Sequence, residues 1–201
     1  YVIYKIITAL NLASALSREH PHLRFVPVFW MAGEDHDTDE ISHLHVFGRK
    51  LTWEHGKHES VTGTMDTASL SPILEQIEQL MGANANASVL LERFRNAYSA
   101  GRNMAGATMC LLTQLFGSGG LVVMDADRAD LKKEFIPIVK DDMEHHTAFR
   151  LIEQRVREMK TAGISTLVTP REINSFYIRD GKRSRLEKQD GRYVAAGASH
   201  S

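Results

Sequence analysis

The sequence predicts an α/β fold with a parallel sheet core, a helical insertion and a small antiparallel β meander near the C-terminus. Three observations lead to this prediction. Two apolar runs rich in strand-forming residues, at 25–30 and 121–124, each follow a stretch with helical spacing. Several further helical patterns separate these two runs. After residue 175 the period changes to short strands with Asp-Gly turns.

Composition excludes several classes of protein. The chain has 201 residues and a formal net charge of −1, so we expect no bulk attraction to nucleic acid or to an anionic membrane. Its one cysteine, Cys110, excludes an internal disulfide and favours a reducing cytoplasm. No apolar run reaches the ~20 residues of a membrane span. Because the chain opens at Tyr1, within a helical pattern that has no cap, we expect a fragment of a longer protein.

The first half of the chain alternates helix and strand. Residues 1–17 have apolar side chains at helical spacing and contain neither glycine nor proline. The run at 25–30 is continuously apolar, which predicts a strand buried on both faces. Residues 46–64 are strand-like but irregular, and we interpret His55 and His58 there as surface residues. Helices are then predicted at 71–81, starting at Ser71-Pro72, and at 87–99 and 103–116.

The second half contains a long helix pattern and the meander. Residues 127–161 have helical spacing, with a break expected at Pro137, and His145 and His146 are interpreted as surface residues. Two Asp-Gly pairs, at 180–181 and 190–191, mark the turns of a basic three-stranded meander. We therefore divide the chain into a core at 1–70 and 117–170, an insertion at 71–116 and a meander at 171–201.

The strongest functional signal is an acidic turn that follows the first strand. Ala32 and Gly33 permit a sharp turn, and five carboxylates then occur within seven residues. Carboxylates this crowded repel one another, and a metal ion, a substrate ammonium group or nearby Lys and Arg would relieve the repulsion. The alternative is a solvent-exposed, acidic helix start. The acidic residues are Glu34, Asp35, Asp37, Asp39 and Glu40.

A short helix is expected to follow, capped by Asp35 or Asp37. On that helix His36, Glu40 and His43 would share one face, while Ile41 and Leu44 would face a core. Asp125 ends the second strand and takes the same topological place as the acidic turn, beyond the carboxyl end of a strand. Its alternative role is to cap the next helix.

Several segments resemble one enzyme family. Residues 28–37 with Glu40-Ile41, residues 115–125, and residues 169–174 with Phe176-Tyr177 resemble motifs of the cysteine-adding enzymes of bacillithiol biosynthesis, in the same order. The resemblance implies a bacterial ligase with a Rossmann-like core, inserted connecting segments and a helical coiled coil. It implies a last biosynthetic step in which L-cysteine is added to glucosaminyl-malate through an amide bond. The family's Gly-rich loop would precede Tyr1, so we expect this chain to be inactive alone.

The residues suit that chemistry. Amide formation needs a deprotonated amine, and His36, flanked by Asp35 and Asp37, is the natural proton acceptor. We expect Glu34, Glu40, Asp125, Arg171, Asn174 and Lys5 to bind substrates. An acidic turn repels phosphate, so any bound ATP would need Mg²⁺, with Arg171 or Lys5 on the anionic side. No residue is assigned to a resident metal ion, and we expect a homodimer formed through a helical region outside this chain.

Two alternatives from other classes stay open at this point. A metal-dependent hydrolase could use His36, Asp37, Glu40 and His43, with a further ligand from a distant segment such as Asp125. A non-catalytic helical scaffold would tolerate alanine at Asp35, His36 and Asp37 without loss of function.

Overall fold

A computed structural model describes residues 1–56, 61–82, 84–98, 101–179 and 182–196. The chain forms two compact units, Tyr1–Arg128 and Ala129–Ser201. Within the described ranges no helix combines the length and the apolar character needed to cross a membrane. His58 and the Asp180-Gly181 turn, both named in the sequence predictions, lie outside the described residues.

The first unit contains helices, a parallel strand pair and an antiparallel hairpin. Three single-turn 3₁₀ segments, at Thr62–Thr64, Ala68–Leu70 and Gly117–Gly119, connect the longer elements. The helices and strands are, in order, α1 (Val2–Glu19), β1 (Val28–Met31), α2 (Thr38–Ile41), β2 (His43–Val46), β3 (Arg49–Thr52), α3 (Ser71–Met81), α4 (Ala85–Tyr98), α5 (Met104–Phe116) and β4 (Val122–Asp125).

Strands β1 and β4 pair in parallel, which confirms the predicted parallel core. The register runs from Val28 opposite Val122 to Met31 opposite Asp125, so both strands end at the same edge. Buried side chains of α1 and α5 pack against one face of this pair. This core contains Ile6, Leu112 and Leu121, with Phe29 and Val123 of the strands packed on it.

The other face of the strand pair is open, so the prediction that both faces are buried is wrong for the described residues. Side chains alternate along a strand, and those next to Phe29 and Val123 point away from the helices. Val28, Trp30 and Val122 keep 45%, 56% and 43% of their surface exposed. The continuous apolar run correctly predicted a strand, but only one of its faces is covered here.

The helical insertion forms where it was predicted. Helix α3 has the predicted bounds, and α4 and α5 begin and end within two residues of theirs. Helices α4 and α5 each bring a fully buried alanine, Ala97 and Ala107, into the core. The Tyr98 hydroxyl lies 3.2 Å from Thr108 Oγ1, and burial raises the pKa of Tyr98.

A second buried cluster packs the β2–β3 hairpin against α3. It contains Leu51, Trp53, Met65 and Ile73. The Trp53 indole Nε1 donates a 2.8 Å hydrogen bond to Ser69 Oγ, which satisfies its polar group inside the cluster. The stretch predicted as one irregular strand is therefore a hairpin followed by a separate buried segment at 61–67.

The second unit contains α6 (Ala129–Glu134), α7 (Ile136–His145), α8 (Thr147–Thr161) and a meander of β5 (Phe176–Arg179), β6 (Lys182–Gln189) and β7 (Arg192–Ala195). The expected helix break falls at Phe135, and Pro137 lies in the first turn of α7, where its missing N–H costs least. A second break at His146, with φ of 52°, was not predicted. His146 is half-buried, and its Nδ1 donates to the Glu172 carbonyl over 2.8 Å, a contact that the surface interpretation did not include.

The predicted meander is confirmed by two antiparallel pairings, β5 with β6 and β6 with β7. Asp190 and Gly191 form its second turn, with φ values of 49° and 75°. The Tyr193 hydroxyl donates a 2.9 Å hydrogen bond to the Met143 carbonyl and so joins β7 to α7. The predicted division into core, insertion and meander stays a prediction, although residues 71–116 belong to the same compact unit as the parallel strands.

Candidate functional site

The acidic turn lies at the shared carboxyl edge of β1 and β4. After Met31 the chain reverses, and the Asp35 amide donates to the Ala32 carbonyl over 3.1 Å. A Cβ added at Gly33 would lie 3.0 Å from Asp125 Oδ1, so the glycine backbone lies directly against this carboxylate. The structure therefore brings the two strand ends, which are far apart in sequence, into contact.

Asp35 organises the turn through its own carboxylate. Its Oδ1 accepts hydrogen bonds from the amides of His36, at 2.7 Å, and Asp37, at 3.3 Å. This is the local side-chain-to-backbone pattern that favours turns over helix. The His36 Nδ1 lies 3.7 Å from Asp35 Oδ1, and both side chains are about half exposed. Helix α2 starts only after Asp37 and has four residues.

The predicted helix face of His36, Glu40 and His43 is not present. His36 precedes α2, whereas His43 lies in β2 opposite Thr52. The prediction that Ile41 and Leu44 face a core is also wrong, because both are partly exposed. Residues 43–46 pair with β3 in a tight hairpin instead of extending α2, which ends at Ile41.

A cavity of about 410 Å³ opens at this edge. Three carboxylates, from Asp35, Asp37 and Glu40, face an otherwise neutral wall. Among the residues that the structure describes, no lysine or arginine lines it. The neutral lining consists of Val2, Phe29, Met31, Ala32, Gly33, Ile41, Thr62, Gly63, Met104, Ala105 and Thr108.

The other acidic candidates lie beside this cavity without lining it. Glu34 has one carboxylate oxygen, Oε2, that is buried and has no hydrogen-bond partner among the described residues. Asp125 Oδ1 accepts a 3.0 Å hydrogen bond from the Asp127 amide, within the turn that precedes α6, so it does not cap that helix, which begins at Ala129. Lys5 lies elsewhere: its Nζ is 4.5 Å from the centre of the Tyr1 ring and does not line the cavity.

Arg171 and Asn174 belong to the second unit. The Asn174 amide group donates to the Arg171 carbonyl over 3.4 Å, and its backbone amide donates to Asp142 Oδ2 over 3.4 Å. Arg171 lines a different cavity, of about 400 Å³, together with Arg185 and Lys188 of the meander and two glutamates.

The described residues contain no group of three or more His, Cys, Asp or Glu side chains placed to hold a metal ion by themselves. Mg²⁺ that binds with a nucleotide takes only one or two protein carboxylates together with phosphate oxygens. Asp35, Asp37 and Glu40 therefore fit such an ion. The cavity lining does not fit a bare phosphate group, because the lining side chains that carry charge are all acidic.

Sequence reasoning missed several lining residues, among them Thr62 and Gly63. These two lie in the stretch predicted as irregular strand and reach the cavity only through tertiary contacts. The available signal was a glycine between two threonines inside a strand-like stretch, since such a glycine often marks a close backbone approach.

Comparison with known proteins places this chain in a family. Residues 1–200 match the family described as bacillithiol biosynthesis BshC, N-terminal Rossmann-like domain. A protein of Flavobacterium johnsoniae is 38% identical over 193 residues, and one of Cytophaga hutchinsonii is 39% identical over 194 residues. Both carry the name "Putative cysteine ligase BshC", and both matches cover 96% of this chain.

More distant relatives carry the same name. A protein of Staphylococcus carnosus is 29% identical over 211 residues, which cover 98% of this chain. The chain spans only 36% of the Flavobacterium relative and 35% of the Cytophaga relative. Since the family description covers 200 of the 201 residues and the parallel strand pair is present, the chain belongs to the bacillithiol biosynthesis BshC family and corresponds to its N-terminal Rossmann-like domain.

Proposed function

We propose that the full-length protein joins L-cysteine to glucosaminyl-malate through an amide bond, in the last step of bacillithiol biosynthesis, and that this chain supplies part of the active site. The observation that carries the proposal is the acidic cavity at the shared carboxyl edge of β1 and β4. This is the place where ligands bind in open α/β sheets. The relatives' name, cysteine ligase, gives the reaction class.

The charge of the cavity favours an amine ligand. Both proposed substrates carry an ammonium group, and Asp35, Asp37 and Glu40 line the cavity without a lining cation to neutralise them. The buried Glu34 Oε2, which has no partner among the described residues, is a further acceptor for an N–H donor. We propose that these carboxylates, with Asp125 behind Gly33, bind and orient the amine.

The proton step is assigned to His36. The sugar ammonium must lose a proton before its nitrogen attacks the cysteine carboxyl carbon, and the His36 imidazole accepts that proton. The new C–N bond replaces a C–O bond, and the displaced carboxyl oxygen leaves on a phosphoryl group that ATP supplies. The Asp35 carboxylate, 3.7 Å from Nδ1, would stabilise the imidazolium that forms. Asp37 follows directly in sequence and would act in the same way.

ATP with Mg²⁺ is the proposed source of free energy for amide formation. One or two of the lining carboxylates, Asp35, Asp37 and Glu40, would hold the metal ion. For the anionic groups of the substrates we propose Arg171 with Asn174, and Lys5. The cation of Arg171 already lines a cavity that contains two further basic side chains.

The cellular setting is proposed from the family alone. We propose a cytoplasmic homodimer that assembles through a helical region outside this chain. The chain spans about a third of its curated relatives, so we expect it to be inactive without the rest of the protein.

The test is His36→Ala in the full-length protein, with amide product measured by mass spectrometry across a pH series. Loss of a general base lowers turnover by about 10²–10⁴-fold. The deficit should shrink as pH rises, because solvent then deprotonates more of the amine. His36 does not itself line the cavity but lies between Asp35 and Asp37, which do. His45→Ala is the matched control, since His45 is an exposed histidine of β2, outside the acidic turn.

Two outcomes would contradict the proposal. Normal turnover of His36→Ala, or a deficit equal at every pH, removes His36 from the base role. Full activity after alanine substitution of Asp35, His36 and Asp37 together would favour the scaffold alternative instead.

A further inference from the structure

The segment at 61–67, which we name the strap, crosses from the acidic turn to the start of α5. We infer that the strap positions the acidic turn for catalysis and that Gly63 is the residue that allows it to do so. This inference rests on the function proposed above and assigns a role to residues that no motif of the sequence indicated.

At one end the strap holds the turn by two backbone hydrogen bonds. The Gly63 amide donates to the Gly33 carbonyl over 2.8 Å, and the Thr62 amide donates to the Asp35 carbonyl over 2.7 Å. These two carbonyls flank Glu34 on either side. The backbone of the residue that carries the unpartnered buried oxygen is therefore fixed at both ends.

The absence of a side chain at Gly63 makes this approach possible. A Cβ added there would lie 2.6 Å from the Gly33 oxygen and 2.9 Å from its Cα. Both are backbone atoms, which cannot rotate away as a flexible side chain can. Gly33 also lies against Asp125 Oδ1. A side chain at residue 63 that displaced the acidic turn would therefore disturb the ends of both β1 and β4.

At its other end the strap is anchored to the start of α5. The Met104 amide donates to the Met65 carbonyl over 2.8 Å, and Thr67 Oγ1 donates to the Arg102 carbonyl over 2.9 Å. Met65 and Thr67 are among the most deeply buried residues of the chain. Because Met104, Ala105 and Thr108 line the same cavity as the carboxylates, the strap connects the acidic turn with the α5 part of the lining.

The turn needs such a restraint for electrostatic reasons. Its crowded carboxylates repel one another, and a buried carboxylate oxygen without a hydrogen bond is unfavourable compared with the same oxygen in water. Both effects favour a turn that swings out into solvent. The strap's two hydrogen bonds, supported by its burial, oppose this movement.

The test is Gly63→Ala in the full-length protein, with Gly119→Ala as the matched control. A Cβ at Gly119 would lie 3.5 Å from Leu10 Cδ2, which is an ordinary contact outside the cavity. We expect Gly63→Ala to lower kcat/KM at least 30-fold and to speed hydrogen exchange at the amides of residues 62 and 63 at least tenfold. The control should change neither quantity more than twofold.

The pH profile separates positioning from simple loss of structure. A merely destabilised protein loses activity in proportion to its unfolded fraction and keeps the wild-type pH profile. A displaced turn should shift the pH profile and raise KM for the amine substrate. Wild-type kcat/KM in a Gly63→Ala protein with accelerated exchange at residues 62 and 63 would overturn the inference, and so would an unshifted profile with unchanged KM.

A milder variant covers the case in which Gly63→Ala does not fold. Thr67→Val keeps the shape of a buried side chain and removes only its hydrogen bond to the Arg102 carbonyl. It should raise KM three- to tenfold, and a kcat/KM equal to that of Gly119→Ala would contradict the inference.

If the wild-type protein forms no amide from cysteine and glucosaminyl-malate, the proposed function fails. The strap is then judged by whether Gly63→Ala speeds exchange at residues 62 and 63, and unchanged exchange there would overturn it.

Discussion

The acidic turn and the basic meander carry clusters of opposite charge, and they use their charges differently. In the meander, Arg183 lies 3.7 Å from the Phe176 ring centre, and the Lys188 Nζ lies 5.7 Å from that of Tyr193. These cations contact aromatic rings of their own sheet. In the turn, by contrast, the Glu34 Oε2 is buried with no partner among the described residues. Charge density alone therefore does not mark a site, whereas charge that the fold leaves unpaired does.

The acidic turn and the meander also differ in how their backbones are supported. The turn is bonded to a buried strap, while β5 carries exposed side chains along its whole length. Rigid support is what a catalytic arrangement needs, because reacting groups must be held in place. A sheet that rests on its own local hydrogen bonds needs no such support to form.

The largest expected effect tests this difference in support. Met65→Ala truncates a buried side chain of the strap, which is 2% exposed, and such truncations cost about 2–5 kcal/mol. Ile178→Ala in β5, where the side chain is 36% exposed, should cost less than about 1 kcal/mol. Hydrogen exchange in increasing urea measures each unit separately. Equal losses of unfolding free energy for the two variants would contradict this difference in support.

The next effect tests the negative charge of the acidic turn. Asp35→Asn keeps an oxygen that can accept from the amides of His36 and Asp37 but removes the negative charge. A hydrogen bond to a charged group contributes about 1.5–3 kcal/mol, so kcat/KM for the amine substrate should fall about 10- to 100-fold. Arg192→Gln in the meander, measured in the same steady-state assay, should stay within about twofold. A larger loss from Arg192→Gln would place the meander in the reaction.

A smaller effect concerns the meander alone. Gly191→Ala places a side chain at φ of 75°, which costs about 1–2 kcal/mol for residues other than glycine. Amides of β6 and β7 should exchange faster by the corresponding factor, while amides of the strap keep their rates. Faster exchange in the strap would mean that the two regions are coupled.

The smallest expected effect concerns Tyr98, whose hydroxyl contacts Thr108 of the cavity lining, and it depends on pH. Burial raises the pKa of Tyr98 and the hydrogen bond with Thr108 lowers it, with burial the larger effect. The folded state thus favours the neutral phenol. This contribution to stability is complete below the unfolded-state pKa of about 10 and is lost as pH rises through the folded-state pKa. Thr108→Val should raise the pKa of Tyr98 further, as measured by phenolate absorbance.

The sequence predicted those features that depend on local patterns. The start of α3 at Ser71-Pro72, the break at Phe135 and the strands of the meander all follow from helix caps, proline and Asp-Gly turns. The parallel pairing of β1 with β4 was also predicted, because two apolar runs without alternation are typical of such strands.

The features that were not predicted have two origins. One is local: residues 43–46 pair with β3 across a tight turn at Phe47-Gly48, so α2 ends early and His43 is separated from His36. The other is contact between distant residues. The strap reaches Gly33 from thirty residues further along the chain, and no local pattern encodes that contact. The acidic cluster itself was visible in the sequence, but its wall of Thr62, Gly63 and Met104 was not.

The open face of the parallel strand pair gives the protein a fluorescent reporter. The chain has two tryptophans, and they lie in opposite environments: Trp30 is 56% exposed, whereas Trp53 is 3% exposed. Acrylamide should therefore quench the long-wavelength emission of Trp30 and leave the emission of Trp53 largely intact. Anything that covers the open face will shift the spectrum of Trp30 toward the blue, so one indole reports on this surface while the other reports on the integrity of the core.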